Sequence, residues 1–299
     1  MAQIQANGIS ITYDSFGSDK APPLLLIMGL GAQMTRWRPE FCEQLAARGF
    51  RVIRFDNRDA GLSTHLIEAG VPDMAVVAAA MQKGEKPEVP YTLSDMAADA
   101  TGLLDALGIA RAHIVGASMG GMIAQLVAAD HPEHTLSLTS IMSTTGNPAL
   151  PRATPEAMAV LTNRPPHPSD EEAYLAHSLA AARVIGSPAY PVDEAVQRAQ
   201  SLADVKRCYE PTGFARQIAA VTATGDRRAK LKTITAPTVV VHGAADPLVP
   251  VEGAHDTAEN IPGAELVVIP GMGHDLPPAL YDTLIDAIVR VTERSKTPA

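Results

Sequence analysis

The residues with the clearest chemical purpose lie in HIVGASMGGMIA, His113 to Ala124. One hydroxyl, Ser118, stands among Gly116, Ala117, Gly120 and Gly121, just after an apolar run that ends at Val115. Residues with almost no side chain permit a very sharp turn. Two chemistries use such a turn. Strand–GASMG–helix fits the G-x-S-x-G nucleophile elbow, in which the following helix aims free N–H groups at a developing oxyanion. Glycines after a strand can instead cradle a phosphate, as in dinucleotide-binding turns. A third reading assigns no chemistry: Ser118 merely caps the helix.

A serine hydroxyl is a poor nucleophile without a base, and the base needs a carboxylate to orient it. In elbow hydrolases the chain order is serine, acid, histidine. Asp246 in HGAADPLVP and His274 in PGMGHDLP follow in that order, each just beyond an apolar run. Asp275 and Asp256 compete for the acid role, but Asp275 adjoins the histidine and would face elsewhere, and Asp256 falls on a helix surface. The oxyanion hole is expected from the backbone N–H groups of Leu30, in IMGLGAQ, and Met119. The phosphate reading is weaker. GLGAQM lacks the third glycine of G-x-G-x-x-G, and only Asp56 offers itself as an acidic ribose ligand.

These residues need a scaffold that brings them to one edge. AQIQANGISITYDSFG sets Asn7-Gly8 between alternating runs, a hairpin signal. PLLLIMG, FRVIRFDNR, HIVGAS, LSLTSIMS, PTVVVHGAADP and AELVVIPG read as strands. Helical patterns separate them: Met34 to Arg48, LSDMAADATGLLDALGI with Ser94 as N-cap, MGGMIAQLVAADHP, Val251 to Asn260, and Pro277 to about Glu293. The rhythm implies a mostly parallel sheet covered on both faces, an α/β fold whose ligands sit beyond the carboxyl ends of the strands. Between Thr144 and Lys232 prolines cluster around helical stretches. Residues 1–143 and 233–299 are therefore expected to form the core domain, with 144–232 as an inserted helical cap. The stretch 67–90, with DMAVVAAAMQKG, reads as an extra helical element beside that cap.

Composition narrows the partners. The chain has 299 residues, 46% of them hydrophobic and 19% charged, enough for a sizeable core. A net charge of −9 without a basic run argues against nucleic acid and anionic membranes. No apolar run reaches the roughly 18 residues of a spanning helix, and no signal peptide stands out, so a cytoplasmic location is expected. Cys42 and Cys208 are expected as reduced buried thiols. His131 and His134 in HPEH read as solvated side chains rather than metal ligands. Neither a metal nor an organic cofactor is called for, and the expected partner is a small-molecule ester. A homo-oligomer is compatible with the sequence but not specified by it.

The IMGLG turn, DNRDAGLS, VGASMGG, HGAADPLVP and PGMGH together resemble the α/β-hydrolase superfamily across nearly the whole chain. Several segments are most similar to serine esterases of the aclacinomycin methylesterase kind. The resemblance implies Ser118 as nucleophile, His274 as general base and acid, Asp246 as its orienting partner, and a backbone oxyanion hole at Leu30 and Met119. The implied activity is carboxylic ester hydrolysis through an acyl-enzyme. Lactone hydrolysis and cofactor-free perhydrolysis of the haloperoxidase type use the same triad and stay open, as does a noncatalytic binding protein. Many members carry His-Gly at the oxyanion turn, where this chain has Met28-Gly29.

Overall fold

In a computed structural model that describes residues 1–163 and 165–295, Asn7 and Gly8 both take positive φ, 47° and 77°. That is the backbone of a tight two-residue hairpin turn. It joins strands β1 (Ala2–Ala6) and β2 (Ile9–Phe16). Six further strands follow: β3 (Pro23–Ile27), β4 (Arg51–Phe55), β5 (Ala112–Ala117), β6 (Thr135–Ile141), β7 (Thr238–Gly243) and β8 (Glu265–Ile269). All eight form one sheet in the order β1-β2-β4-β3-β5-β6-β7-β8. Only the β1–β2 and β2–β4 pairs are antiparallel; the ladders from β4 to β8 are parallel. This is the mostly parallel α/β sheet expected from the sequence.

Strand residues alternate between the two faces. Leu24, Leu26, Val115 and Val241 pack with Phe41, Leu284 and Ile288 on one side. That layer belongs to α1 (Pro39–Ala47) and α11 (Tyr281–Arg294). Leu25, Ile27 and Ile114 pack with Leu103, Ile123 and Leu126 on the other. Here lie α3 (Leu93–Ala106) and α4 (Met119–Asp130). Between α1 and α3 comes α2 (Met74–Gln82).

Five helices follow β6: α5 (Pro155–Thr162), α6 (Glu171–Ile185), α7 (Glu194–Arg207), α8 (Thr212–Thr224) and the short α9 (Arg228–Leu231). One more, α10 (Glu252–Asn260), links β7 to β8. Helices α6 to α8 reach the loops that leave the carboxyl ends of β3, β4 and β8. By contrast α9, within the interval 144–232, packs on α4 and α10 of the sheet layers. Helix α2 lies against α8, with only Val77 fully buried.

Three local expectations need correction. The helix expected from Met34 to Arg48 splits into a 3-10 turn (Met34–Arg36) and α1, because Pro39 holds Arg38 in extended backbone at ψ 149°. The N-cap of α3 is Thr92 rather than Ser94: Thr92 and Asp95 form a reciprocal capping box. Cys42 is buried, but Cys208 is only half-buried; both are free thiols. Among the described residues, no helix is long and apolar enough to cross a membrane.

Candidate active site

Ser118 occupies the single residue between β5 and α4, with φ 57° and ψ −122°. A non-glycine residue in that region is strained, so the surroundings must impose it. Its N–H donates to the Ile141 carbonyl (2.9 Å), and its own carbonyl accepts from Gly121 (2.9 Å) and Met122 (3.2 Å), which starts the helix at once. The glycines permit the approach. A Cβ on Gly116 would stand 2.0 Å from the Gly120 carbonyl oxygen, and one on Gly120 2.1 Å from that of Ile27. The Ser118 side chain makes no capping bond to α4, which disposes of the helix-cap reading.

The hydroxyl points elsewhere. Ser118 Oγ lies 2.9 Å from His274 Nε2, and His274 Nδ1 lies 2.7 Å from Asp246 Oδ2. Three residues from distant parts of the chain thus meet in one hydrogen-bonded line. Asp246 leaves β7 in a tight turn and accepts from the N–H groups of Leu248 (2.9 Å) and Val249 (2.8 Å) on its other oxygen. Burial alone would push its carboxyl up. The rings of His242, at 3.5 Å, and His274, with the Val249 N–H, more than offset this and hold it well below the usual carboxylate range. Asp246 is therefore ionised and, with one oxygen occupied by backbone, presents the other to the imidazole.

The remaining acids face away. Asp275 accepts from the Ser187 hydroxyl, and burial pushes its carboxyl up. Asp256 is half-buried on α10 and accepts from Thr145 and Asn147 (3.3 Å to the latter). Burial pushes the Cys42 thiol up to about 12 and also raises that of Cys208, so neither is activated as a nucleophile.

The turn after β3 closes the other side of the serine. A Cβ on Gly29 would lie 3.1 Å from the Ser118 Cβ, a tight contact that glycine avoids as this backbone passes the serine. Within the turn, Ala32 N–H donates to the Gly29 carbonyl (3.3 Å) and Gly31 N–H to Gln217 (2.7 Å). The N–H groups of Leu30 and Met119 donate to nothing among the described residues. Unpaired backbone donors that converge beside a hydroxyl have the character of an anion site.

Sequence reasoning missed the residues that hold these loops. Asn57 donates to the Met28 carbonyl (2.8 Å). Asp56 accepts from the N–H groups of Met34 (2.8 Å) and Leu62 (2.9 Å) and from Arg207 of α7 (2.7 Å). With both oxygens so engaged, Asp56 is not available as a ribose ligand, and the turn leads into a 3-10 helix instead of a helix N-terminus facing a phosphate. Asp59 is paired twice with the fully buried Arg216 of α8 (2.9 and 2.8 Å) and accepts from Tyr91 (2.6 Å). The C-terminal end of α6 grips the histidine loop: Ile185 carbonyl accepts from His274 N–H (2.6 Å), and Ser187 Oγ from Gly273 N–H (2.9 Å). The DNRDAGLS segment gave a hint in its density of charged and turn residues. Gln217 and Ser187 gave none.

Comparison with known proteins agrees with this architecture. A family model described as the alpha/beta hydrolase fold matches residues 22–277. Rhodomycin D methylesterase DauP of Streptomyces sp. (strain C5) is 31% identical, with 95% of each chain covered. DnrP, the rhodomycin D methylesterase of Streptomyces peucetius, is 30% identical over 94% of each. The crystal structure of the enol-lactonase from Burkholderia xenovorans LB400 superimposes with a TM-score of 0.72 at 24% identity, covering 98% of this chain and 100% of that one, a likeness of fold. With its sheet order, the sharp turn at Ser118 and a family match over most of its length, this chain belongs to the α/β-hydrolase fold family.

Proposed function

We propose that the protein is a serine hydrolase that cleaves carboxylic esters through an acyl-enzyme. The observation that carries this is the line Ser118 Oγ–His274 Nε2–Asp246, at 2.9 and 2.7 Å, with the serine on a strained turn. The coarser statement, an enzyme hydrolysing esters or related bonds, is supported by the methylesterase relatives.

In this reading His274 takes the proton as Ser118 attacks the ester carbonyl, and Asp246 stabilises the imidazolium and fixes its tautomer. The Leu30 and Met119 N–H groups receive the oxyanion, each contributing about 3 kcal/mol by analogy with measured oxyanion donors. His274 then protonates the departing alcohol, and water, activated by the same ring, releases the acid. Helices α5 to α8 act as the cap and set which acyl and alcohol groups fit. The relatives' names make a methyl ester the first substrate to try. The triad would serve equally for a lactone, whose ring carbonyl presents the same electrophile.

A panel of p-nitrophenyl esters of rising chain length, with a methyl ester and a lactone beside them, tests the proposal on wild type and Ser118→Ala. Ester turnover by the wild type alone supports it. Equal turnover by both proteins would overturn it, and exclusive lactone turnover would transfer the same machinery to the second substrate.

A further inference from the structure

We infer that Gln217, on α8 of the inserted helices, is a positioning residue for the oxyanion turn; this rests on the serine-hydrolase reading above. Gln217 is fully buried, and among the described residues it hydrogen-bonds to neither Ser118 nor His274. Its side chain bridges two loops. Oε1 accepts from Gly31 N–H (2.7 Å), and Nε2 donates to the Arg58 carbonyl (2.8 Å). Only one orientation of the amide satisfies both partners, because a backbone N–H can only donate and a carbonyl only accept.

The consequence for Leu30 follows from peptide geometry. Leu30 N–H shares a rigid plane with the Gly29 carbonyl, and across a trans peptide the two point in opposite directions. Ala32 N–H holds that carbonyl at 3.3 Å, a long bond. The next peptide plane, Leu30–Gly31, carries the N–H that Gln217 grips at 2.7 Å. Asn57 fixes the plane before, through the Met28 carbonyl at 2.8 Å. The Leu30 donor thus sits between two planes clamped by side chains, and only weak backbone bonding holds its own. Phe214, one helical turn before Gln217, completes the clamp: a Cβ on Gly31 would stand 2.7 Å from its ring, and Gly31 has φ 65°. Without the Gln217 contact, Gly31 is free to use the φ/ψ range that glycine allows, and Leu30 N–H loses its aim. The inserted helices therefore help to build the catalytic geometry as well as covering it.

The test compares wild type with Gln217→Met, which keeps length and apolar bulk, and Gln217→Glu, which can accept from Gly31 but repels the Arg58 carbonyl. Each preparation is first titrated with a fluorophosphonate, so that kcat is counted per reactive Ser118 and misfolded protein drops out. Acylation and deacylation both pass through an oxyanion, so a misaimed donor slows both and leaves KM nearly constant. The expected result for Gln217→Met is a kcat lower by about 10- to 100-fold, with KM within about twofold. The inhibition constant of a trifluoromethyl ketone, which forms a tetrahedral adduct on serine, should rise by the same factor. Gln217→Glu should fall between Met and wild type. A variant with wild-type kcat per titrated site, or with kcat and ketone affinity moving independently, overturns the inference. Wild type that fails to react with fluorophosphonate overturns instead the hydrolase reading beneath it.

Discussion

The turn carrying Ser118 and the loop carrying His274 come within hydrogen-bonding distance at 2.9 Å, yet they are built in opposite ways. The serine turn is almost self-contained. Its strand, its glycines and its helix are contiguous, and the carbonyls of Ile27 and Ile141, at the ends of β3 and β6, brace its backbone. The histidine loop depends on distant chain: Ile185 and Ser187, at the end of α6, take its backbone N–H groups. The turn after β3 and the Asp56–Asp59 loop depend likewise on Gln217, Arg207 and Arg216. A strained nucleophile needs rigid local support. In the proposed mechanism the base and the oxyanion donor are held, by contrast, through contacts from the helices between β6 and β7, so changes in those helices would reach the chemistry from a distance.

The largest expected effect lies at the self-contained end. Ser118→Gly should lower ester turnover by at least about 10⁴-fold. It should also raise stability, by about 1–2 kcal/mol, since glycine takes φ 57° without strain. Steady-state assays and urea unfolding check the two halves. Activity loss with unchanged or lower stability would mean that the turn stores no strain, and the contrast between the regions would weaken.

At the dependent end, Arg216→Met should cost about 3–5 kcal/mol, because it leaves the Asp59 carboxylate buried beside Tyr91 without its cation. Urea unfolding followed by circular dichroism measures it. A cost below about 1 kcal/mol, the range of an exposed ion pair, would show that the inserted helices are anchored by apolar packing alone.

A smaller effect, read through pH, concerns Asp246. Its carboxyl is depressed in the folded state, so its contribution to stability is present above the unfolded carboxylate value of about 4 and is lost as pH falls through the folded value. The stability gap between wild type and Asp246→Asn should be widest at pH 5 to 7 and narrow below about pH 4. Urea midpoints at several pH values test this. A gap independent of pH would mean that the histidines and backbone N–H groups do not favour the charged form.

The same contrast explains what the sequence disclosed. Strand runs such as PLLLI and the G-x-S-x-G turn are legible because their requirements lie within a few residues: burial on both faces in one, glycines against backbone in the other. Asp246 and His274 are legible from chain order and from their places after β7 and β8. Thr92 displaced Ser94 as a cap through its pairing with Asp95, a choice between two good capping residues two positions apart. Pro39 ended the first turn of an expected helix. Gln217 was invisible for a physical reason. A glutamine on a helix is ordinarily a solvated residue, and its partner Gly31 lies 186 positions away. Nothing local marks a side chain whose purpose is to bridge two loops.

The proposed mechanism stands on activation of the Ser118 oxygen by His274. Incubation with a fluorophosphonate, followed by intact-mass and peptide mass spectrometry on wild type and His274→Ala, tests it most directly. Expected are one adduct per wild-type chain, on the peptide containing Ser118, and labelling of His274→Ala slowed by at least about 10³-fold. An unlabelled Ser118 in folded wild type, or equal labelling rates in the two proteins, would contradict it.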